Sequence, residues 1–301
     1  MEKPMDRTKQ QLGSYASMLE TALAGYLPRH PSPEQTVADA MAYSLLSGGK
    51  RIRGALTLAF YRLFREDVRP ALPYAGALEM VHAYSLIHDD LPCMDDDDLR
   101  RGKPSCHIAH GEATALLAGD ALLTLAFETM TDPRHAGAFA PGAVVKVVRC
   151  LAAAAGCAGM IGGQMIDLYQ EGKPASEELL KRTYAKKTGA LIAAAAQMGC
   201  VLAGAGPEET EAAECYCEKI GLAFQIVDDL LDVTGDARVL GKPIGSDIEN
   251  KKCTYVSIYG LDAARQKVDQ LNQEAKASLQ KLKGDTSFLA SLADLLAGRQ
   301  N

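Results

Sequence analysis

The sequence predicts an all-α protein, a single large bundle of about ten helices. Three observations carry this reading. Apolar residues recur at helical spacing along nearly the whole chain. No run alternates with period two, and no turn pair of hairpin type separates two apolar runs. No linker or low-complexity stretch divides residues 1–301, so one unbroken domain with a sizeable core is expected.

Taken in order, the first helix is expected over 5–27 and a loop over 28–33. Ser32-Pro33-Glu34-Gln35 is a start signal, with a capping serine, proline at the first helical position and glutamine closing the box. The second helix runs from there to Ser47 and is stopped by Gly48-Gly49; the third covers 52–64. The fourth begins near Pro70 and ends at Asp90, because Pro92 disfavours helix at Leu91. Further helices are expected over 109–130, 141–157, 159–171, 177–204 (Ser176 as cap) and 208–232 (Pro207 at the start). The Gly- and Pro-bearing stretch 233–254 reads as a loop, and helices resume over 260–283 and 286–298.

Composition narrows the function. With a net charge of −6 there is no basic footprint for nucleic acid. The eight cysteines make no CxxC pair and no Cys/His zinc spacing, so they read as small apolar fillers in a reducing compartment. The N-terminus MEKPMDRTKQQ lacks an apolar signal core, and a cytoplasmic protein is expected. Two uncharged runs, 150–166 and 188–206, are built of Ala and Gly around Gln164 and Gln197. They are too weakly apolar for a membrane span and suit close helix packing.

The chemistry concentrates at HDDLPCMDDDDLRR. Six aspartates (Asp89, Asp90, Asp95, Asp96, Asp97, Asp98) fall within ten residues, directly behind an apolar helix. Like charges ~4 Å apart repel by ~1 kcal/mol in water and ~4 kcal/mol at an effective dielectric of 20. Asp89 and Asp90 also sit at the negative end of a helix dipole. A hard divalent ion sharing carboxylate, phosphate and water oxygens fits this patch, and Mg2+ is the natural choice. A second patch, QIVDDLLD, sets Asp228 and Asp232 four apart on one helical face, again in a last turn. Asp89 and Asp95 are six apart, about 240° round a straight helix, so the backbone must turn at Pro92 for both to reach one ion. Cations surround the motifs: Lys50, Arg51 and Arg53 in GGKRIRG, Arg100 and Arg101 behind the first patch, Lys186-Lys187-Thr188, and Lys242 and Lys252 after the second. Glycines before a helix start can hold phosphate, and arginine grips phosphate or a neighbouring aspartate equally well.

In that order GGKRIR, DDxxxxD followed by RRG, GDALL, GGQMxDL, KT, QxxDDxxD and GKxxGSD…KKCTY resemble the trans-polyprenyl diphosphate synthases, most of all those of bacterial farnesyl type. The resemblance spans almost the whole chain. It implies a helical bundle around a deep central cavity, usually a homodimer, that joins isopentenyl diphosphate to an allylic diphosphate with Mg2+. It also implies that Asp89, Asp95 and Asp228 are the metal ligands, with Asp90, Asp229 and Asp232 as motif members. Arg100, Lys187, Lys242 and Lys252 then contact the allylic diphosphate, as do Thr188 and Gln225. Lys50, Arg53, His82 and Arg101 hold isopentenyl diphosphate. Lys187, Thr188 and Gln225 steady the carbocation. Two positions depart from the family's pattern: Gly54 stands where proline is common, and His110 where an aromatic is usual.

The implied reaction ionises the allylic carbon–oxygen bond in a dry cavity, and the isopentenyl double bond attacks the cation. No protein nucleophile is needed, and no Ser/His/Asp or Cys/His set is present. His107 and His110 read as ordinary histidines. Gln164 and Asp167 either orient a cationic side chain or make a core hydrogen bond. Product length is expected to depend on Tyr84 and Ser85, about one turn before Asp89, with Tyr84 blocking the growing tail at fifteen carbons. The alternatives are a geranylgeranyl diphosphate synthase, a terpene cyclase, and a non-catalytic partner subunit. The intact second DDxxD argues against the last two.

Overall fold

The computed structural model describes residues 4–29, 31, 33–173, 176–234 and 254–299. Its helices are α1 (Pro4–Tyr26), α2 (Gln35–Leu45), α3 (Ile52–Arg62), α4 (Leu72–Asp89), α5 (Cys106–His110), α6 (Glu112–Thr131) and α7 (Pro133–Ala136). There follow α8 (Pro141–Ala155), α9 (Met160–Gln170), α10 (Glu177–Thr183), α11 (Ala190–Ala203), α12 (Pro207–Thr234), α13 (Tyr255–Tyr259), α14 (Leu261–Ser278) and α15 (Ser287–Ala297). The expected all-α class holds. Ser32, proposed above as a cap, lies outside the described residues.

The centre of the bundle is α4, buried on every side from Pro73 to Tyr84 apart from His82. A helix apolar all round can only be a core helix. It packs against α6, α3 and α1, while α11 packs against α3, α8 and α12. The Ala/Gly run does what its composition suggests: a methyl group at Gly199 would lie 2.5 Å from the Thr57 carbonyl oxygen, so α11 and α3 approach backbone to backbone. A smaller apolar cluster joins α12 to α14 through Ala223, Ile226, Val227, Ala264, Val268 and Leu271.

Several boundaries differ from expectation, each for a local reason. The expected helix from 109 is split into α5 and α6 at Gly111, whose φ of 84° only glycine adopts easily. The expected helix 177–204 contains a π-helical turn, Tyr184–Gly189. Of the loop expected over 233–254, Val233 and Thr234 belong to α12, and residues 235–253 lie outside the described residues. The helix α13 was not expected; a reciprocal capping box between Thr254 and Ser257 starts it. A two-residue antiparallel pair, Leu99–Arg100 with Lys103–Pro104, also breaks the expectation of no strand. Its turn is Arg101-Gly102 with φ of 54° and 74°, the left-handed values that a tight hairpin requires.

Two apolar stretches, Glu112–Thr131 and Pro141–Gln170, are long and apolar enough to cross a membrane by length and composition, and the second contains the run 150–166 that was read above as too weakly apolar. Within them Leu116, Leu117, Val145, Ile161, Met165 and Tyr169 are exposed.

Candidate active site

The first aspartate patch is folded back on itself. After α4 ends at Asp89, the Asp95 amide donates to the Asp89 carbonyl at 2.9 Å and the Met94 amide to the Leu91 carbonyl at 2.8 Å. This turn cancels the six-residue offset and brings Asp95 beside Asp89. Burial pushes the Asp89 carboxyl up to about 6, and the Asp95 and Asp90 charges push the same way against Lys187 and Arg100. Asp90 is buried and its carboxylate accepts from the Arg100 guanidinium, with Nε at 2.9 Å. Arg100 therefore makes the aspartate pairing that the sequence left open, and it also reaches Asp97 at 3.4 Å.

The short hairpin aims the second arginine elsewhere. Arg101 donates to the Gly48 carbonyl and reaches the Ser47 hydroxyl at 3.4 Å. A methyl group at Gly49 would lie 2.7 Å from Arg101 Nη1. The Gly48-Gly49 pair thus does more than stop α2; it lets the guanidinium lie flat on the loop that carries Lys50.

In GGKRIRG the three cations part company. Arg51, in left-handed backbone with φ of 49°, turns inward. Its guanidinium donates to the Leu45 carbonyl at 2.5 Å and lies 3.7 Å from Glu79. Glu79, on α4 and only 2% exposed, also accepts from the Gly54 amide at 2.8 Å. Proline at 54 would have no N–H to give, so this departure from the family's pattern completes the buried pair. Arg51 is an anchor, not a phosphate ligand. Arg53 lies in the field of Glu79, Arg101 and Asp228. Burial lowers the Lys50 pKa, with Arg299 adding to the shift and Asp228 opposing it. Burial and the charges of Arg53, Arg101, Arg51 and Arg100 hold His82 well below the usual histidine range, so it is neutral at pH 7.

The second patch is built on the last turns of α12. Asp228 accepts from Arg299, whose guanidinium lies 3.8 Å over the Phe224 ring. Asp229 is buried and faces the bundle, accepting from the Tyr184 hydroxyl at 2.5 Å and the Tyr255 amide at 2.6 Å. Across from it, Lys187 donates to Asp167 at 2.6 Å, and Thr188 donates to Gln225. Asp167 is thus the residue that orients the cation, while the Gln164 side-chain oxygen is buried without a partner among the described residues. Burial works against charge on Lys187, but Asp167, Asp89 and Asp95 outweigh it and raise its pKa.

The two patches are linked indirectly, through a chain of neighbouring charges. Asp89 feels Lys187 and Arg100, His82 feels Arg100 and Arg53, and Arg53 feels Asp228. A cleft of about 610 Å3 lies between α1 and α15, with Lys50, Phe224 and Arg299 on its wall and neither aspartate patch lining it. Tyr84 is buried, its ring edge-on to His88 at 5.6 Å. Ser85 donates back to the His82 carbonyl at 2.9 Å. His107 is buried and paired with Ser105 at 3.0 Å, and His110 packs edge-on against Tyr43 at 5.0 Å. Lys242 and Lys252 lie outside the described residues.

A family model described as polyprenyl synthetase matches residues 34–287. The chain belongs to the polyprenyl synthetase family. It is 44% identical over 294 residues to a farnesyl diphosphate synthase of Escherichia coli (strain K12), covering 96% of this chain and 98% of that one. It is 43% identical over 267 residues to a geranylgeranyl diphosphate synthase of Cyanophora paradoxa, covering 88% of each. Among solved structures, an FPP/GFPP synthase from Zymomonas mobilis superposes with a TM-score of 0.86 at 34% identity, covering 98% of this chain and all of that one. Family motifs account for the cations and aspartates named from the sequence. Glu79 and Tyr184 were not legible: a lone glutamate in an apolar helix and a tyrosine before KKTG carry no spacing signal.

Proposed function

We propose that this chain is a prenyltransferase that condenses isopentenyl diphosphate with dimethylallyl diphosphate and then with geranyl diphosphate, giving farnesyl diphosphate. The observation that carries this reading is the pair of aspartate patches at two helix C-termini, each set among its own cations: Asp89 with Lys187 and Arg100, Asp228 with Arg299, Arg53 and Lys50. The likeness to farnesyl diphosphate synthases supports it. A geranylgeranyl product is the second reading, favoured by relatives such as the Cyanophora enzyme.

The donor set suits Mg2+. Asp89 is a buried carboxylate with too little positive charge around it, and the donors are hard oxygens. Among the described residues no three His, Cys, Asp or Glu side chains close a cage by themselves. Mg2+ is commonly held by one or two carboxylates together with substrate phosphates. Asp89, Asp95 and Asp228 would hold it, and when bound it neutralises charge on the departing diphosphate.

The chain's own groups do the rest. Lys187, steadied by Asp167, offers its ammonium to the allylic diphosphate, with Arg100, Lys242 and Lys252 as further cations. Lys50, Arg53, Arg101 and neutral His82 present donors to isopentenyl diphosphate. The Thr188 hydroxyl and Gln225 carbonyl oxygens place negative dipole ends where carbocation charge develops, and cost no reorganisation there.

Incubation with isopentenyl and dimethylallyl diphosphates plus Mg2+ should yield the fifteen-carbon diphosphate, and EDTA should abolish it. A twenty-carbon product would establish the second reading, and no product at all would sink both.

We further read the protein as a cytoplasmic homodimer. The exposed side chains of α6, α8 and α9 form apolar surface of the kind a second copy covers. Leu117→Glu with Val145→Glu should turn a dimer into a monomer by sedimentation; wild-type protein that sediments as a monomer would remove the assignment.

A further inference from the structure

Asp229 belongs to the second aspartate motif, yet its surroundings differ from those of Asp228. The Asp228 side chain is 46% exposed, whereas Asp229 is only 6% exposed and one oxygen accepts both the Tyr184 hydroxyl and the Tyr255 amide. Adjacent residues on a helix point about 100° apart, so α12 sends one carboxylate to the site and the next into the bundle.

What Asp229 holds there is unusual. Tyr184 opens the π-turn Tyr184–Gly189, which carries Lys187 and Thr188. π-turns are rare, because the wider ring inserts a residue into the helix, and they recur where a side chain must be re-aimed. This one is clamped from three sides. On α9, a methyl group at Gly163 would lie 2.2 Å from the Lys187 nitrogen and 2.6 Å from its Cα, so the turn rests directly on the α9 backbone. On α12, a methyl group at Gly221 would lie 3.5 Å from the Gly189 Cα, an ordinary contact, so α12 runs close beside the turn. The third clamp is the Asp229–Tyr184 hydrogen bond, which the Tyr255 amide joins by approaching Tyr184 Oη at 3.2 Å. Without these contacts the turn would gain by relaxing to an ordinary α-helix, rotating Lys187 away from Asp167 and Thr188 away from Gln225.

We propose that Asp229 is a positioning residue: through the Tyr184 hydroxyl it holds the π-turn whose Lys187 and Thr188 meet the allylic substrate. This rests on the function proposed above. The same geometry explains the GGQ motif, in which Gly163 is needed for the backbone contact.

The test is a double-mutant cycle of Tyr184→Phe and Asp229→Ala, with steady-state kinetics in both substrates and thermal melting of each variant. Misplacing catalytic groups by about 1 Å can cost 10²-fold. Tyr184→Phe, which keeps the ring and loses one oxygen, should lower kcat with the allylic primer by about 10- to 100-fold. The KM for isopentenyl diphosphate should stay within about twofold, because Lys50, Arg53 and Arg101 are on other elements. Asp229→Ala on top of Tyr184→Phe should add little, since the two act as one unit. Fold-changes that multiply would show that Asp229 acts independently of Tyr184, as a metal ligand would, and would overturn the proposal. So would wild-type kinetics in Tyr184→Phe. Amide hydrogen exchange across 184–190 gives a readout that does not depend on the reaction. It should rise in Tyr184→Phe, and unchanged exchange refutes the clamp even if the wild-type protein makes no prenyl diphosphate. That last result would count against the proposed function alone.

Discussion

Asp89→Ala and Asp228→Ala are each expected to lower turnover by about a thousandfold or more, while the protein still folds. Losing a single pre-aimed electrostatic contact to a transition state costs about 10²–10³; a lost metal ligand also leaves diphosphate charge uncovered at the moment the bond breaks. Steady-state assays at saturating Mg2+ check this, and near-normal turnover in either variant would remove the metal-site assignment. Stability should move the other way at Asp89. Its carboxyl titrates at about 6 in the folded chain against 3.8 for the free side chain. A raised carboxylate means the folded state holds the proton more tightly. The penalty is therefore absent below both values, grows as pH rises between them, and is complete above the folded value. Asp89→Asn should raise the melting temperature of metal-free protein at neutral pH, by roughly 1–3 kcal/mol of stability. A site that is strained until its ligand arrives is a common cost of function. Asp228 differs, because Arg299 already covers its charge, so Asp228→Asn should leave melting almost unchanged.

Tyr84→Ala is expected to lengthen the product to twenty carbons or beyond, read by chromatography of the dephosphorylated alcohols. The ring is almost fully buried, stands on α4 between the Asp89 turn and the core, and is braced edge-on by His88. His88 is itself held by the Leu116 carbonyl at 3.1 Å and fills the space left by Gly119, where a methyl group would lie 2.1 Å from its Nε2. Truncating such a ring opens a hollow, and aromatic-to-alanine changes in cores cost about 3–5 kcal/mol, so the variant should also melt lower. Tyr84→Phe separates the two roles. The Tyr84 hydroxyl is buried with no partner among the described residues, and burial drives its pKa up to about 12. Removing an unsatisfied hydroxyl should be neutral or stabilising, and the fifteen-carbon product should persist. A fifteen-carbon product from Tyr84→Ala would place the floor of the cavity elsewhere.

Much of this was legible in the chain because it depends on short-range pattern. Helical periodicity, Pro92 behind Asp90 and Pro207 at the start of α12 all act within a few residues, and the all-α class follows from them. The aspartate patches were legible for a similar reason: like charges at a helix C-terminus are unfavourable whatever lies around them. That Asp167 orients a cation was legible as one of two options, because a carboxylate amid Ala and Gly must find a partner, but that the cation is Lys187 was not.

Other features depended on contacts between residues far apart in sequence. Arg51 and Arg53 are two positions apart in one basic motif, yet Glu79 on another helix pairs with the first, while the second also lies in the field of Arg101 and Asp228. Asp228 and Asp229 are adjacent letters, and only the packing of α12 sets one beside Arg299 and the other against Tyr184. The π-turn has no local signature, and the residues packed against it, Gly163, Gly221 and Asp229, come from distant parts of the chain. Residue types and their spacing were enough to name the chemistry, because charge and helix propensity are carried by the chain itself. Which member of each charged pair is buried and which partner it takes was decided by folding, because desolvation and partner choice depend on neighbours that the chain order does not contain.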